Sequence, residues 1–234
     1  KALTADKTAL ALWEDLTPLA RNEWICWITF VKQDKTRQDK LLTKEREMRT
    51  ATVDLESISA YSQSRHYTSE VEKLEKESAK DYEKRTWRNR LHFNDSGEVY
   101  IPPMALKNCL SEAAKYLSIQ IPGKGKATYT KHIEAGVLVV DPVMLGIKKD
   151  DVAGQWLFVP SDGRRGGSTR VDKCFPVIHQ WKGKATFHIL DETVTPDIFE
   201  KILSESGKFI GIGFFRPRNN GFYGRFKINS IEWN

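Results

Sequence analysis

Along the chain the apolar positions switch between two periods. Residues 23–33 (EWICWITFVKQ) run together β-branched and aromatic types, which predicts a strand buried on both faces. From 35 to 90 apolar residues become sparse and charges of both signs alternate. That pattern predicts a charged, exposed insertion of helix or loop between core elements. GEVYIP at 97–102 predicts a short strand closed by Pro102 and Pro103. Leu106, Cys109, Leu110, Ala113, Ala114 and Leu117 then recur at helical spacing, predicting an amphipathic helix over 104–118. The prolines ahead of it suit a helix start. Its polar face carries Lys107, Glu112 and Lys115.

Further strands are predicted at 135–145, 155–162, 171–181 and 183–190. Thr195 and Pro196 open a second helix, with Ile198, Phe199, Ile202 and Leu203 as its apolar face and Gly207 as its end. FKINSIEW at 226–233 closes the chain as a strand, with Phe226 and Ile228 turned inward. Strand, helix, strand at 23–33, 104–118 and 135–145 is followed by a second such unit at the C-terminal end. The expected fold class is therefore α+β. It is a ferredoxin-like (RRM-like) antiparallel sheet with helices on one face, in one domain over 1–234, with large insertions at 35–90 and 155–182.

Composition changes this picture only modestly. The 234 residues suffice for a sizeable core. Lys and Arg exceed Asp and Glu by 37 − 31, or +6, which with 7 Trp, 7 Tyr and 11 Phe leans toward a polyanionic partner. Cys26, Cys109 and Cys174 are far apart and form no CxxC, so no zinc site or disulfide framework is expected. The expected compartment is reducing and cytoplasmic. No apolar run is long enough to span a membrane, and no leader pattern is visible, although residues upstream of Lys1 are not excluded.

Enzyme templates fail. There is no GxSxG or HExxH, and GIGFFR carries Arg216 where a dinucleotide fingerprint needs its third glycine. GKGKAT and DGRRGGST lack phosphate-loop spacing. His66, His92, His132, His179 and His188 include no pair one helical turn apart, and Asp141, Asp150 and Asp151 fall in expected turns. No catalytic residue, metal or cofactor is expected.

The strongest local signal is GKFIGIGFFRPRNNGFYGRFK at 207–227, with Lys208, Arg216, Arg218, Arg225 and Lys227 and no acid. Glycines there could bring backbone N–H groups against a phosphate, arginines could add charge-assisted bonds, and Phe214, Phe215, Phe222 and Tyr223 could stack on bases. The other reading is a hairpin turn whose aromatics pack inward. Lys124, Lys126 and Lys131 form a second basic stretch, and Arg164, Arg165 and Arg170 a third. Residues 35–49 hold six basic against three acidic residues and could also touch nucleic acid.

IGIGFFRPRNNGFYGRFKI resembles the C-terminal glycine-rich loop and closing strand of the RAMP superfamily, the RNA-binding proteins of CRISPR systems. Tyr100, Ile101, Pro102, Ala105, Leu106, Lys107 and Leu110 resemble that superfamily's strand-to-helix entry. Pro103, Met104 and Asn108 depart from its usual Gly, Ser and Gly. The backbone subunit of effector complexes is the nearest likeness. It implies contact with guide RNA, with target single-stranded nucleic acid, with copies of the same chain and with other effector subunits. It also implies that Lys107 faces the guide backbone and that Arg216, Arg218 and Arg225 line the same path. A thumb-like hairpin would be 155–182, bearing Arg164, Arg165 and Arg170; an ordinary basic hairpin is the alternative. With Lys124, Lys126 and Tyr223 these are the expected RNA-binding residues.

Two other functions stay open. One is a CRISPR RNA-processing endoribonuclease of the same superfamily, using His66 or His92 as general acid or base. The other is a general single-stranded nucleic-acid-binding protein. A metal-dependent cut at Asp34 or Asp39 has no readable motif, and a small basic enzyme would need an apolar pocket.

Overall fold

The computed structural model describes residues 48–64, 71–161 and 169–234. The expected strand at 23–33, Asp34, Asp39, His66, Arg164 and Arg165 lie outside them. In chain order the elements are β1 (Arg49–Ser57), β2 (Tyr61–Ser62), α1 (Ala79–Thr86) with a 3-10 turn (Trp87–Arg90), β3 (Glu98–Ile101) and α2 (Pro103–Leu117). Then come α3 (Thr130–Gly136), β4 (Val137–Val139), β5 (Val143–Lys148), β6 (Ala153–Pro160), β7 (Arg170–Ile178) and β8 (Lys182–Ile189). The last are α4 (Pro196–Glu205), which runs on into a π turn (Ser206–Ile210), and β9 (Phe226–Trp233).

The chain is α+β. Its central sheet has the order β4-β8-β1-β9, antiparallel at every step. With α2 and α4, the chain order through this sheet is β-α-β-β-α-β. One face is the core floor: Ala51, Val53 and Leu55 of β1, Ala185, Phe187 and Ile189 of β8, and Val137 and Val139 of β4 are all buried. Onto it α2 sets Leu106, Cys109, Leu110, Ala113 and Ala114, and α4 sets Phe199, Ile202 and Leu203. Phe199 meets Phe187 edge to face at 5.1 Å. Each large side chain so buried contributes about 1.5–3 kcal/mol.

The opposite face is polar. Glu56 accepts from Lys182 and Lys227, each at 3.0 Å, and from Asn229 at 3.1 Å. Those bonds hold its carboxyl at about 2, far below the usual carboxylate range. Asp54 accepts from Ser230 at 2.8 Å and lies 3.9 Å from Lys184. Thr52 and Thr186 face each other further along. Among the described residues of the central sheet, this face carries no Phe, Tyr or Trp.

Three expectations are corrected. The charged insertion at 35–90 contains β1, a central core strand. The expected strand at 135–145 is two strands in different sheets, split at Asp141-Pro142, since proline cannot donate to a ladder. Gly207 does not end the second helix but sits inside the π turn, where a Cβ would lie 2.2 Å from the Phe226 carbonyl oxygen. A second sheet, β2-β7-β6, carries the β6–β7 hairpin, whose pairing runs from Ala153–Val177 to Pro160–Arg170. β3 and β5 form a third, two-stranded sheet.

The turn after β8 is tied to α3 by polar bonds. His132 Nδ1 lies 2.6 Å from Asp191 Oδ2, and the Thr193 N–H donates to Asp191 Oδ1 at 2.9 Å. Arg49 donates to the Asp191 and Val194 carbonyls. Burial alone would raise the Asp191 pKa, but the bonds from His132 and Thr193 outweigh it and leave it below 3.8. A depressed carboxylate adds stability above its unfolded pKa and loses it as pH falls through the folded value. Asp191→Asn should therefore be less stable than the parent at neutral pH. The gap should close below 3.8 as the parent's own carboxyl protonates, and thermal unfolding across acidic pH would test this. A gap that stays constant would mean that the charge of Asp191 is irrelevant.

Candidate nucleic-acid interface

The glycine-rich loop, residues 211–224, is wedged between α2 and the base of the β6–β7 hairpin. On the α2 side, Arg216 donates to Glu112 Oε1 at 2.8 Å and Arg218 lies 3.8 Å from Glu112 Oε2. On the hairpin side, the Tyr223 hydroxyl donates to Gln155 Oε1 at 2.9 Å. Phe214 stacks on Phe175 with centroids 4.9 Å apart, and Phe215 meets the same ring edge-on. Gln155 and Phe175 are cross-strand partners, so one face of the hairpin base holds the loop.

The glycines serve backbone-to-backbone approach within the protein. Gly224 has φ 78°, and a Cβ there would sit 1.9 Å from the Ile212 carbonyl oxygen. Gly213 has φ 77°, and its Cβ would sit 2.3 Å from the Ser62 carbonyl oxygen. The amides follow suit. Gly224 donates to Ala60 at 2.6 Å, Ile212 to Gly224 at 3.0 Å, Phe214 to Ser62 at 2.8 Å and Tyr223 to Phe215 at 3.0 Å. These N–H groups are spent on protein carbonyls, so the expected amide cradle for a phosphate is not built from them. Gly224→Ala should cost at least about 2 kcal/mol through positive-φ strain plus collision with a fixed carbonyl. A fall in Tm with faster proteolysis at 211–224 would show it. An unchanged Tm would mean that the loop relaxes freely.

The expected RNA-binding cations fall into two groups. Lys107 is committed to the end of α3: its ammonium donates to the carbonyls of Ile133, Glu134 and Val137 at 2.9, 2.8 and 2.5 Å. Arg216 is committed to Glu112, with its side chain only 20% exposed. By contrast Arg218 is 58% exposed, and among the described residues its one acidic contact is the long one to an already paired carboxylate. Arg225 donates to the Lys208 and Phe222 carbonyls at 3.1 and 3.4 Å, which orient its guanidinium without neutralising it. Lys124 and Lys126 are exposed in the turn after α2 and have no acidic partner among the described residues. Arg170, exposed at the far end of β7, donates to the Phe158 carbonyl at 3.5 Å and has no acidic partner among the described residues. Lys208, in the π turn, pairs with Glu205 at 2.9 Å.

Only some of the rings that the sequence singled out are exposed, and four exposed rings lie outside that set. Tyr223 is half-buried and bonded, whereas its neighbour Phe222 is 80% exposed. Tyr116 on α2 and Phe209 in the π turn form an exposed pair at 5.8 Å. Trp156 and Phe158 stand exposed on β6. Their strand alternation was legible. In the loop, no period tells which of Phe222 and Tyr223 faces out.

Other chemistry finds little support. His92 packs its ring on Tyr100 at 5.8 Å, and its backbone N–H donates to Gln63 Oε1. Burial pushes the Cys109 thiol up to about 12 and raises that of Cys174, so neither is a nucleophile at neutral pH. Among the described residues, no group of His, Cys, Asp or Glu is placed to hold a metal ion, and no helix is long and apolar enough to cross a membrane.

Comparison with known proteins gives scattered likenesses. A family model described as OmdA, "Bacteriocin-protection, YdeI or OmpD-Associated", matches residues 1–43, upstream of every element above. No curated protein matches the chain. Among solved structures, a chain of the Type III-B Cmr-beta complex bound to cognate target RNA is similar at 13% identity and TM-score 0.45. That likeness covers 87% of this chain and 68% of the other. Cmr6 from Pyrococcus furiosus is similar at 12% identity and TM-score 0.41, covering 78% of this chain and 99% of its own.

Proposed function

We propose that this chain is a non-catalytic, RNA-binding backbone subunit of a CRISPR-type ribonucleoprotein. It would hold guide RNA by its phosphates and assemble with copies of itself and with other effector subunits. The observation that carries this is the glycine-rich loop, where Arg216 and Arg218 share one carboxylate, Glu112, and Arg225 donates only to the Lys208 and Phe222 carbonyls, beside the exposed ring of Phe222. Excess positive charge next to an open aromatic face suits single-stranded nucleic acid. The polar face of the central sheet argues for the same side. Its acids Asp54 and Glu56 offset its lysines, and among the described residues it offers a base no Phe, Tyr or Trp, only the imidazole of His188, which meets Thr50 Oγ1 at 3.3 Å. The strand would thus run across the helix-and-loop side, past Lys124, Lys126, Arg218 and Arg225. The β6–β7 hairpin with Arg170 would be the thumb-like projection.

In this mechanism the protein positions and the RNA specifies. Phosphate contacts fix the path without reading sequence, and base edges stay free to pair with a target. The test is to purify the protein from cells expressing its native neighbours and to digest what copurifies. Protected RNA of discrete lengths, separated by a constant step, is the expected result. Nucleic acid of no fixed length would replace this reading with a general single-strand binder, and no nucleic acid at all would overturn both.

A further inference from the structure

Apart from the glycine loop, one groove gathers chemistry that the reading above leaves unused. It lies between α1 and the β6–β7 hairpin, holds about 560 Å³, and is lined by Lys80, Lys84, Trp87, Trp156 and Asp172. Trp156 projects from the ribbon with 41% of its surface exposed. Trp87 is buried to 7% against β6, where a Cβ on Gly154 would lie only 3.1 Å from its ring. The glycine thus lets the indole lie close on the strand and form the floor. Arg88 covers Trp87 at 4.3 Å. Lys80 and Lys84, one turn apart on α1, present their ammoniums to the same side. Their ion pairs are loose: Lys80 lies 3.7 Å from Asp172 and Lys84 3.2 Å from Asp81, with the lysine side chains 62% and 57% exposed. Exposed pairs of this kind contribute little, so both ammoniums can turn to a stronger anion at small cost. Phe158, two residues beyond Trp156 on the same strand face, continues the aromatic row up the ribbon.

We infer that this groove seats one unpaired nucleotide of a bound RNA strand. The base stacks on Trp156, Lys80 and Lys84 hold an adjoining phosphate, and Asp172 accepts from an exocyclic amine of the base. An exposed indole, two lysines lining the same groove and one acceptor-only carboxylate supply the three recognition elements of a nucleotide. The inference deepens the RNA-binding reading and rests on it.

The test titrates a short mixed-sequence oligoribonucleotide against the parent protein, Trp156→Ala, Trp156→Phe, Lys80→Gln/Lys84→Gln and Arg218→Gln/Arg225→Gln, with ultraviolet crosslinks mapped by mass spectrometry. Trp156→Ala should weaken binding by about five- to a hundredfold and abolish crosslinks to 153–160. Trp156→Phe, which keeps a ring, should retain most of the affinity. Lys80→Gln/Lys84→Gln should flatten the salt slope by about 0.7, the share of the one phosphate they hold. If Arg218→Gln/Arg225→Gln weakens binding while the groove variants do not, the groove is empty of RNA and only this inference falls. If the parent binds no oligoribonucleotide, both readings fall. If adenosine monophosphate crosslinks at Trp156 and the oligoribonucleotide does not, the groove takes a free nucleotide and the strand-bound version is overturned.

Discussion

Arg90→Ala should lower stability by about 3–5 kcal/mol, the range for removing one partner of a buried pair. The Arg90 and Glu83 side chains are only 11% and 9% exposed. They meet as a fork, with Arg90 Nη2 donating to Glu83 Oε2 at 3.0 Å and Nη1 to Glu83 Oε1. The same fork grips β7: the Cys174 N–H donates to Glu83 Oε1 at 2.8 Å, and the Cys174 carbonyl accepts from Arg90 Nη1 at 2.7 Å. β2 is two residues long and pairs only with Val177 and Ile178, so beyond it this edge of β7 has no strand partner among the described residues. α1 therefore finishes the edge with side chains where a strand would have used its backbone.

Losing the guanidinium strands a buried carboxylate and frees a buried carbonyl together. A Tm drop of about 10 °C follows for a chain of this size. Glu83→Gln combined with Arg90→Ala should recover part of the loss, because the amide oxygen still accepts from Cys174 and carries no charge. If the double variant is as unstable as the sum of its parts, the pair is not the clamp described here.

How much of this was legible follows from the range of each interaction. α2 and α4 were readable because a 3.6-residue period is written within each segment, and the same holds for the alternation of β6 through β9. β1 carries an equally strict alternation, Ala51, Val53 and Leu55, but its outward Thr52, Asp54 and Glu56 merge with the charged residues around them. Only the sheet reveals why those acids are there: Lys182, Lys184 and Lys227 arrive from two other strands. Lys107 is the sharpest case. The sequence places it on the polar face of α2, where a phosphate contact is natural. The carbonyls that claim it belong to residues 133–137, brought over by the chain's return through α3. Arg216 likewise meets an acid 104 positions away. Positive charge was countable in the sequence; which charges remain unspent was not.

The unspent charges set the second large effect. Lys124→Gln, Lys126→Gln, Arg218→Gln and Arg225→Gln together should weaken RNA binding about a hundredfold at physiological salt. They should also flatten the plot of log K against log salt by about 2.8, or 0.7 per cation for a single strand. The loss should be the same for every sequence, because phosphates carry no sequence information. Arg216→Gln should behave differently. Its guanidinium already serves Glu112 and is 20% exposed, so its removal should lower Tm while leaving the slope within about 0.7 of the parent. Glu112 would then be free to pair with Arg218, now 3.8 Å from Oε2, and could draw a second cation from the strand. Glu112→Gln with Arg216→Gln removes that competition. If it restores the parent slope, Glu112 regulates how much of the loop's charge reaches the RNA. If the fourfold variant keeps the parent slope, phosphates do not run past this loop, and the interface must be sought elsewhere on the chain.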